Sequence, residues 1–175
     1  LKLEQFGTVA NLISDRINLL TRNATSGLII VLTVLFIFLT SRTAFWVALG
    51  IPVAFSATFA VMLLTGQSIN MISLFGLIMA LGIVVDDAIV VGEHSEHLEE
   101  NRGMDTSNSS ILAATRMSPP VISAMLTTVA AFLPLFFIKG IIGQVIFAIP
   151  AVVCAVLVAS LLEVFFIMPA HLRHG

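Results

Sequence analysis

Residues 74–92 have the sequence LFGLIMALGIVVDDAIVVG, an apolar segment whose only charged side chains are two adjacent acids, Asp86 and Asp87. A membrane-spanning helix needs roughly 20 mostly apolar residues, and this segment with its apolar flank at Met71 is long enough. At ~1.5 Å per residue, the acids would lie about 10 Å from Glu93, the next charged residue. The segment therefore predicts a transmembrane helix with two carboxyl groups inside the hydrocarbon core.

Four more apolar segments accompany this one, so the sequence predicts an all-α, polytopic membrane helix bundle with five transmembrane helices. We expect a lead-in and an amphipathic interfacial helix over 1–19, an acidic loop with a short helix over 93–117, and a tail over 169–175. The expected crossings are residues 20–40, 44–64, 70–92, 119–138 and 141–168.

The composition excludes soluble globular proteins and proteins that bind nucleic acid through a basic surface. Of the 175 residues, 58% are hydrophobic and 10% are charged, whereas soluble globular proteins are about 25% charged. The net charge of -2 provides no basic surface for nucleic acid. Cys154 is the single cysteine, so no disulfide framework is possible. The chain begins at Leu1 without a methionine, and we expect it to be an excerpt of a longer protein.

The acid pair is the strongest candidate for chemistry. An ionised acid near the centre of a membrane helix costs ~2.5–3.5 kcal/mol on insertion scales. That cost falls when the carboxyl group binds a proton or meets a cation. Neighbouring acids also titrate as a coupled pair. We therefore predict that Asp86 and Asp87 carry protons, with a purely structural role as the alternative.

The two acids point about 100° apart on a helix and should meet different neighbours. Asp87 continues a row of small residues that permits close helix approach, and Asp86 lies on a separate face. None of the five segments contains an internal Lys or Arg that could pair with them, so we expect the countercharge to lie outside this sequence. The two faces are Ser73, Gly76, Ala80 and Asp87, and Met79, Gly82, Asp86 and Glu93.

Three other features carry weaker hypotheses. Glu163, near the end of the last apolar segment, is expected to extend to the membrane interface, with a functional role as the alternative. Glu93 and His97 have the i, i+4 spacing of a metal-binding pair, but a solvated helix end is the favoured interpretation, and we expect no metal and no cofactor. The sequence lacks a phosphate-binding loop, a nucleophile elbow and an HExxH motif, so we expect no enzyme.

The segment GQSINMISLFGLIMALGIVVDDAIVVGEHSEHLEENRG, residues 66–103, resembles the fourth transmembrane helix of resistance, nodulation and division (RND) efflux pumps. The resemblance extends over RNATSGLIIVLTVLFIFL (22–39), TTVAAFLPLFFIKGIIGQ (127–144) and IMPAHLRHG (167–175), and thus over nearly the whole chain. The VDDAIVV core is its most specific part. His94 departs from the family, where an asparagine is usual, and we have no physical account of this change.

The resemblance implies a proton-driven antiporter of the bacterial inner membrane, of the branch that exports hydrophobic and amphiphilic compounds. Asp86 and Asp87 would be its proton-relay residues, and a lysine on a second-half helix of the same chain would be their cation. The family forms homotrimers with a periplasmic adaptor and an outer-membrane channel. Its topology would place the lead-in at the periplasmic side, and the acidic loop and C-terminal tail in the cytoplasm.

Two alternative functions remain open at this stage. A membrane protein of the same superfamily could use the proton motive force for protein secretion or lipid handling, although such relatives generally lack the tandem aspartates. The chain could also be a structural segment of a complex. In that case Asp86 and Asp87 would tolerate replacement by leucine without loss of transport.

Overall fold

The computed structural model describes the backbone of residues 2–174 and the side chains of residue 11 and of residues 14–173. This part of the chain is helical and contains no strand. The elements in chain order are α1 (Lys2–Phe38), α2 (Ser41–Leu64), α3 (Met71–Arg102), α4 (Thr106–Phe136), α5 (Gly140–Ile146), α6 (Ala148–Leu162), a π-helical segment (Glu163–Ile167) and α7 (Met168–His174).

Five helical stretches are long and apolar enough to cross a membrane, which confirms the expected fold class. They are Ser14–Phe38, Ser41–Leu64, Met71–Arg102, Thr106–Phe136 and Gly140–Arg173. The last stretch joins α5, α6, the π-helical segment and α7, with a break in the α-helical pattern at Phe147. The helix bounds also differ from expectation at the N-terminal side, because α1 continues without interruption through the predicted interfacial helix and the first crossing.

Residues 93–117 are mostly helical instead of forming a long polar loop. α3 extends to Arg102, and α4 begins at Thr106 and continues through Pro119 and Pro120. Gly103 ends α3 in the left-handed conformation, with φ of 60°, that glycine adopts most readily. Pro119 removes the donor for the Thr115 carbonyl, and the Ser118 hydroxyl donates to that carbonyl at 2.9 Å instead. This bond replaces the one that is lost at Pro119. α4 therefore continues through Pro119 and Pro120, where we expected the loop to end and a new helix to begin.

α3 is the central helix of the bundle, because it packs against α1, α2, α4 and α6. Its start is fixed by a capping box: the Asn70 side chain accepts from the Ser73 amide at 3.0 Å, and the Ser73 hydroxyl accepts from the Asn70 amide at 2.8 Å. Glycines permit close packing along it. A Cβ added at Gly92 would lie 2.9 Å from Thr43 Cγ2, so α2 and α3 meet almost backbone to backbone.

Polar side chains tie the helices together at one end of the bundle. Thr40 donates to Glu96 Oε1 through its hydroxyl (2.5 Å) and its backbone amide (2.9 Å). The Arg42 guanidinium donates to the Leu172 carbonyl and, at 3.5 Å, to the Thr106 hydroxyl. These bonds place the turn before α2 at the same end of the bundle as the polar part of α3 and the C-terminal helix. Each of these three parts follows an odd number of crossings, so a bundle that spans a membrane must have them on one side.

Candidate functional site

The structure places Asp86 and Asp87 in the middle third of α3, in different surroundings. Asp87 is buried, with 7% of its surface exposed, whereas Asp86 is exposed. Asp87 Oδ2 is fully enclosed and has no hydrogen-bond partner among the described residues. Burying a carboxyl oxygen without a partner is costly in the charged form, so this packing favours the protonated form of Asp87.

The face of α3 that carries Asp87 is the one that α6 covers. Ser73, Gly76 and Ala80 are buried on it, as the row of small residues predicted. A Cβ added at Gly76 would lie 3.5 Å from both the Ile149 carbonyl oxygen and Val152 Cβ. This contact confirms the predicted close approach of another helix and identifies that helix as α6.

The face that carries Asp86 is open within the described part of the chain. Glu93 is exposed on it, and an added Cβ at Gly82 would meet no atom within 4 Å. The two adjacent acids thus connect a closed interface inside this bundle with a face that has room for another helix. In this arrangement, a carboxyl group on the open face can exchange a proton. A carboxyl group in the closed interface can change its protonation when the packing of the helices changes.

A second buried acid lies in the last membrane-length helical stretch, and our expectation for it was wrong. Glu163 does not extend to the interface; it is 2% exposed, and its Oε1 has no hydrogen-bond partner among the described residues. A Cβ added at Gly50 on α2 would lie 2.5 Å from that oxygen. The prediction failed because we ended the helix at Met168, whereas it continues to His174 and leaves Glu163 far from its end.

The surroundings of His97 and Cys154 complete the description of the residues that the sequence singled out. In the part of the chain that the structure describes, no three His, Cys, Asp or Glu side chains are grouped as metal ligands. His97 Nδ1 lies 3.0 Å from Asn101 Nδ2, which gives this ring a protein partner. Cys154 is a free, half-buried thiol inside α6.

One cavity lies between α1, α2 and α3, and neither Asp86 nor Asp87 lines it. It has a volume of about 540 Å³, is partly open and is lined by apolar side chains, among them Leu28, Phe55 and Leu81. A binding pocket normally adds a few polar groups that fix a ligand's orientation. This cavity is lined almost wholly by apolar groups, so we treat it as a packing groove.

Comparison with known proteins supplies the family. The sequence model of the AcrB/AcrD/AcrF family matches residues 1–172. The chain is similar to the multidrug resistance protein MdtC of Pectobacterium carotovorum, with 42% identity over 66% of this chain, and to that of Escherichia coli, with 37% identity over 80%. MdtC of Klebsiella pneumoniae is 41% identical over 67%.

These matches cover 11% to 14% of the relatives' own length, so the chain corresponds to a small part of each of them. The family match, by contrast, covers nearly all of this chain. The chain therefore belongs to the AcrB/AcrD/AcrF family of RND multidrug efflux transporters, as the VDDAIVV segment indicated.

Proposed function

We propose that this chain is part of the energy-converting membrane bundle of a proton-driven multidrug antiporter of the bacterial inner membrane. Asp86 and Asp87 are its proton-relay residues. The observation that carries the proposal is their unequal environment on one membrane-spanning helix: Asp87 is buried with an unpartnered oxygen, and Asp86 is exposed on an open face. The relatives' shared name, multidrug resistance protein, favours small-molecule export over secretion or lipid handling.

In this proposal, protons enter from the periplasmic side and neutralise the pair. When charged, Asp86 is held by a cation, a lysine on a second-half helix of the same chain. Protonation removes that attraction, and Asp87 transmits the change to α6, which contacts the same face of α3 at Gly76. One charge that crosses 100 mV supplies ~2.3 kcal/mol, enough to shift a packing equilibrium substantially.

The partners follow from the same proposal. The transporter would be a homotrimer that exports hydrophobic and amphiphilic compounds through a periplasmic adaptor and an outer-membrane channel. The end of the bundle that contains Arg42, Glu96 and Leu172 would face the cytoplasm, since the family's topology places the acidic segment there.

The test measures drug efflux from cells that produce the full-length transporter with Asp86→Asn or Asp87→Asn. Each variant is expected to lose export down to the level of cells without the transporter, because asparagine has the size of aspartate but cannot take up a proton. Asp105→Asn is the matched control, since Asp105 is exposed and its side chain forms no capping hydrogen bond. Full export by both relay variants, at equal protein levels, would refute the proposal.

A further inference from the structure

Glu163 is a buried acid that the relay described above does not use. We propose that Glu163 is a third proton-binding carboxyl group of this transporter, coupled to Asp87 across the interface between α3 and the helix that contains α6. The inference rests on the proposed proton-driven function, and it adds a residue from a different helix to the relay.

The carboxyl group of Glu163 is buried. Glu163 lies inside an apolar segment, VASLLEVFFI (158–167), and only 2% of its surface is exposed. Its Oε1 has no hydrogen-bond partner among the described residues. Ser160, one turn earlier on the same helix, also has an enclosed hydroxyl without a partner. Burial of a charged carboxylate without a partner costs free energy, and a bound proton removes that cost.

α2 leaves space for this carboxyl group at Gly50. The atoms nearest to an added Cβ at Gly50 are Glu163 Oε1, Cδ and Oε2, at 2.5, 2.6 and 2.8 Å. The carboxyl group therefore occupies the position that a side chain at Gly50 would take. Glu163 also begins the π-helical segment, a form of helix that occurs frequently at functional sites. Loss of its proton would place a negative charge directly against the backbone of α2.

α3 and the helix that contains α6 run parallel, and their contacts fix the register between them. Gly76 on α3 contacts Val152 on α6, and Gly92 contacts Met168 further along in the same direction. The interval from Gly76 to Asp87 equals the interval from Val152 to Glu163, and each is about three helical turns. Each acid therefore lies within ~20° of the side of its helix on which Gly76 and Val152 make their contact. Asp87 and Glu163 therefore lie at the same depth on neighbouring helices, with the Glu163 carboxyl group against Gly50 of α2.

None of the cations on the elements packed against Glu163 is bonded to it. Arg42 on α2 donates to Thr106 and Leu172, and Arg116 on α4 and Arg173 on α7 are exposed. The other titratable groups of these elements near its depth are Asp86, Asp87 and Glu93 on α3 and His171 on α7, whose ring stacks on Trp46 with a 4.8 Å centroid separation. Asp87 is the one that shares both the burial and the unpartnered oxygen of Glu163.

The chemistry is a reversible proton transfer: a carboxylate and a proton combine to a carboxylic acid, and no other reactant is needed. Two carboxyl groups at the same depth of one low-dielectric helix bundle repel each other when both are charged. Their proton affinities are therefore linked, and each proton gained or lost at Asp87 changes the occupancy of Glu163. Through this linkage, proton binding at Asp87 would change how tightly α2 and the helix that contains α6 pack at Gly50.

The test is infrared spectroscopy of the full-length transporter in lipid membranes during a pH titration. Glu163→Gln is expected to remove one component of the carbonyl band of protonated carboxyl groups, and the exposed control Glu100→Gln is expected to leave that band unchanged. In Asp87→Asn, the Glu163 component should disappear at a pH about one unit lower, a tenfold change in proton affinity, because the repelling neighbour is gone.

Two results would overturn the inference. One is a carbonyl band that is the same in Glu163→Gln and in the wild type at every pH; the other is a Glu163 component whose midpoint does not move in Asp87→Asn. If Glu163→Gln yields little folded protein, Glu163→Asp replaces it and should keep a titrating component at an altered frequency. Loss of export in Asp86→Asn and Asp87→Asn, together with either overturning result, would leave the proposed function standing and remove Glu163 from the relay.

Discussion

Replacement of Gly50 by alanine tests the packing of Glu163 against α2. The added Cβ would lie 2.5 Å from Glu163 Oε1 and 2.6 Å from Cδ, and an ordinary contact needs roughly 1 Å more. An exposed carboxyl group would move away at little cost, but this one is 2% exposed and is packed among other side chains. We expect the overpacking to cost ~1–3 kcal/mol, partly offset by the ~1 kcal/mol by which alanine favours a helix over glycine.

The assay is a double-mutant cycle on the purified full-length transporter, with the free energy of unfolding measured by denaturant titration in detergent micelles. Gly50→Ala should lower that free energy by up to about 2 kcal/mol in the wild type, and should raise it slightly when Glu163 is also alanine. Gly27→Ala is the control, because its Cβ meets no atom within 4 Å. Equal effects of Gly50→Ala in both backgrounds would show that the carboxyl group does not occupy this position.

Three further predictions concern the helix ends and contacts. Asn70→Ala removes the capping box of α3 and should cost about 1 kcal/mol in the same unfolding assay; no change would show that the cap contributes nothing. Gly92→Leu forces a side chain against Thr43 and should reduce the amount of folded transporter recovered from membranes, whereas normal recovery would contradict the contact between α2 and α3. Arg42→Ala removes the bond to the Leu172 carbonyl, so backbone amides of the C-terminal helix should exchange hydrogen at least several-fold faster; unchanged exchange would refute this anchoring role.

The sequence was sufficient for the features that depend on local composition. Apolar runs of membrane-spanning length predicted five helices that could cross a membrane, and the described part of the chain contains five helical stretches of the required length and composition. The spacing of Ser73, Gly76 and Ala80 predicted a face for close helix approach, because residues at three- and four-residue intervals share one side of a helix. The burial of Asp87 on that face follows from the same periodicity.

The features that depend on two distant segments were beyond the sequence. Glu163 is buried because Gly50, far away in the chain, leaves space for its carboxyl group, and no single segment contains that information. The polar region after Glu93 looked like a loop because its side chains are charged, yet these are residues that also form good helices. α4 continues through Pro119 and Pro120, and the hydroxyl of Ser118 replaces the backbone bond that is lost at Pro119.

The central claim is that Asp86 and Asp87 gain and lose protons during transport. The most direct measurement uses the full-length transporter in liposomes that contain a pH-sensitive dye, with proton movement recorded when a transported drug is added. We predict substrate-dependent proton flux for the wild type and no flux above that of empty liposomes for Asp86→Asn or Asp87→Asn. Undiminished substrate-dependent proton flux in both variants would contradict the claim.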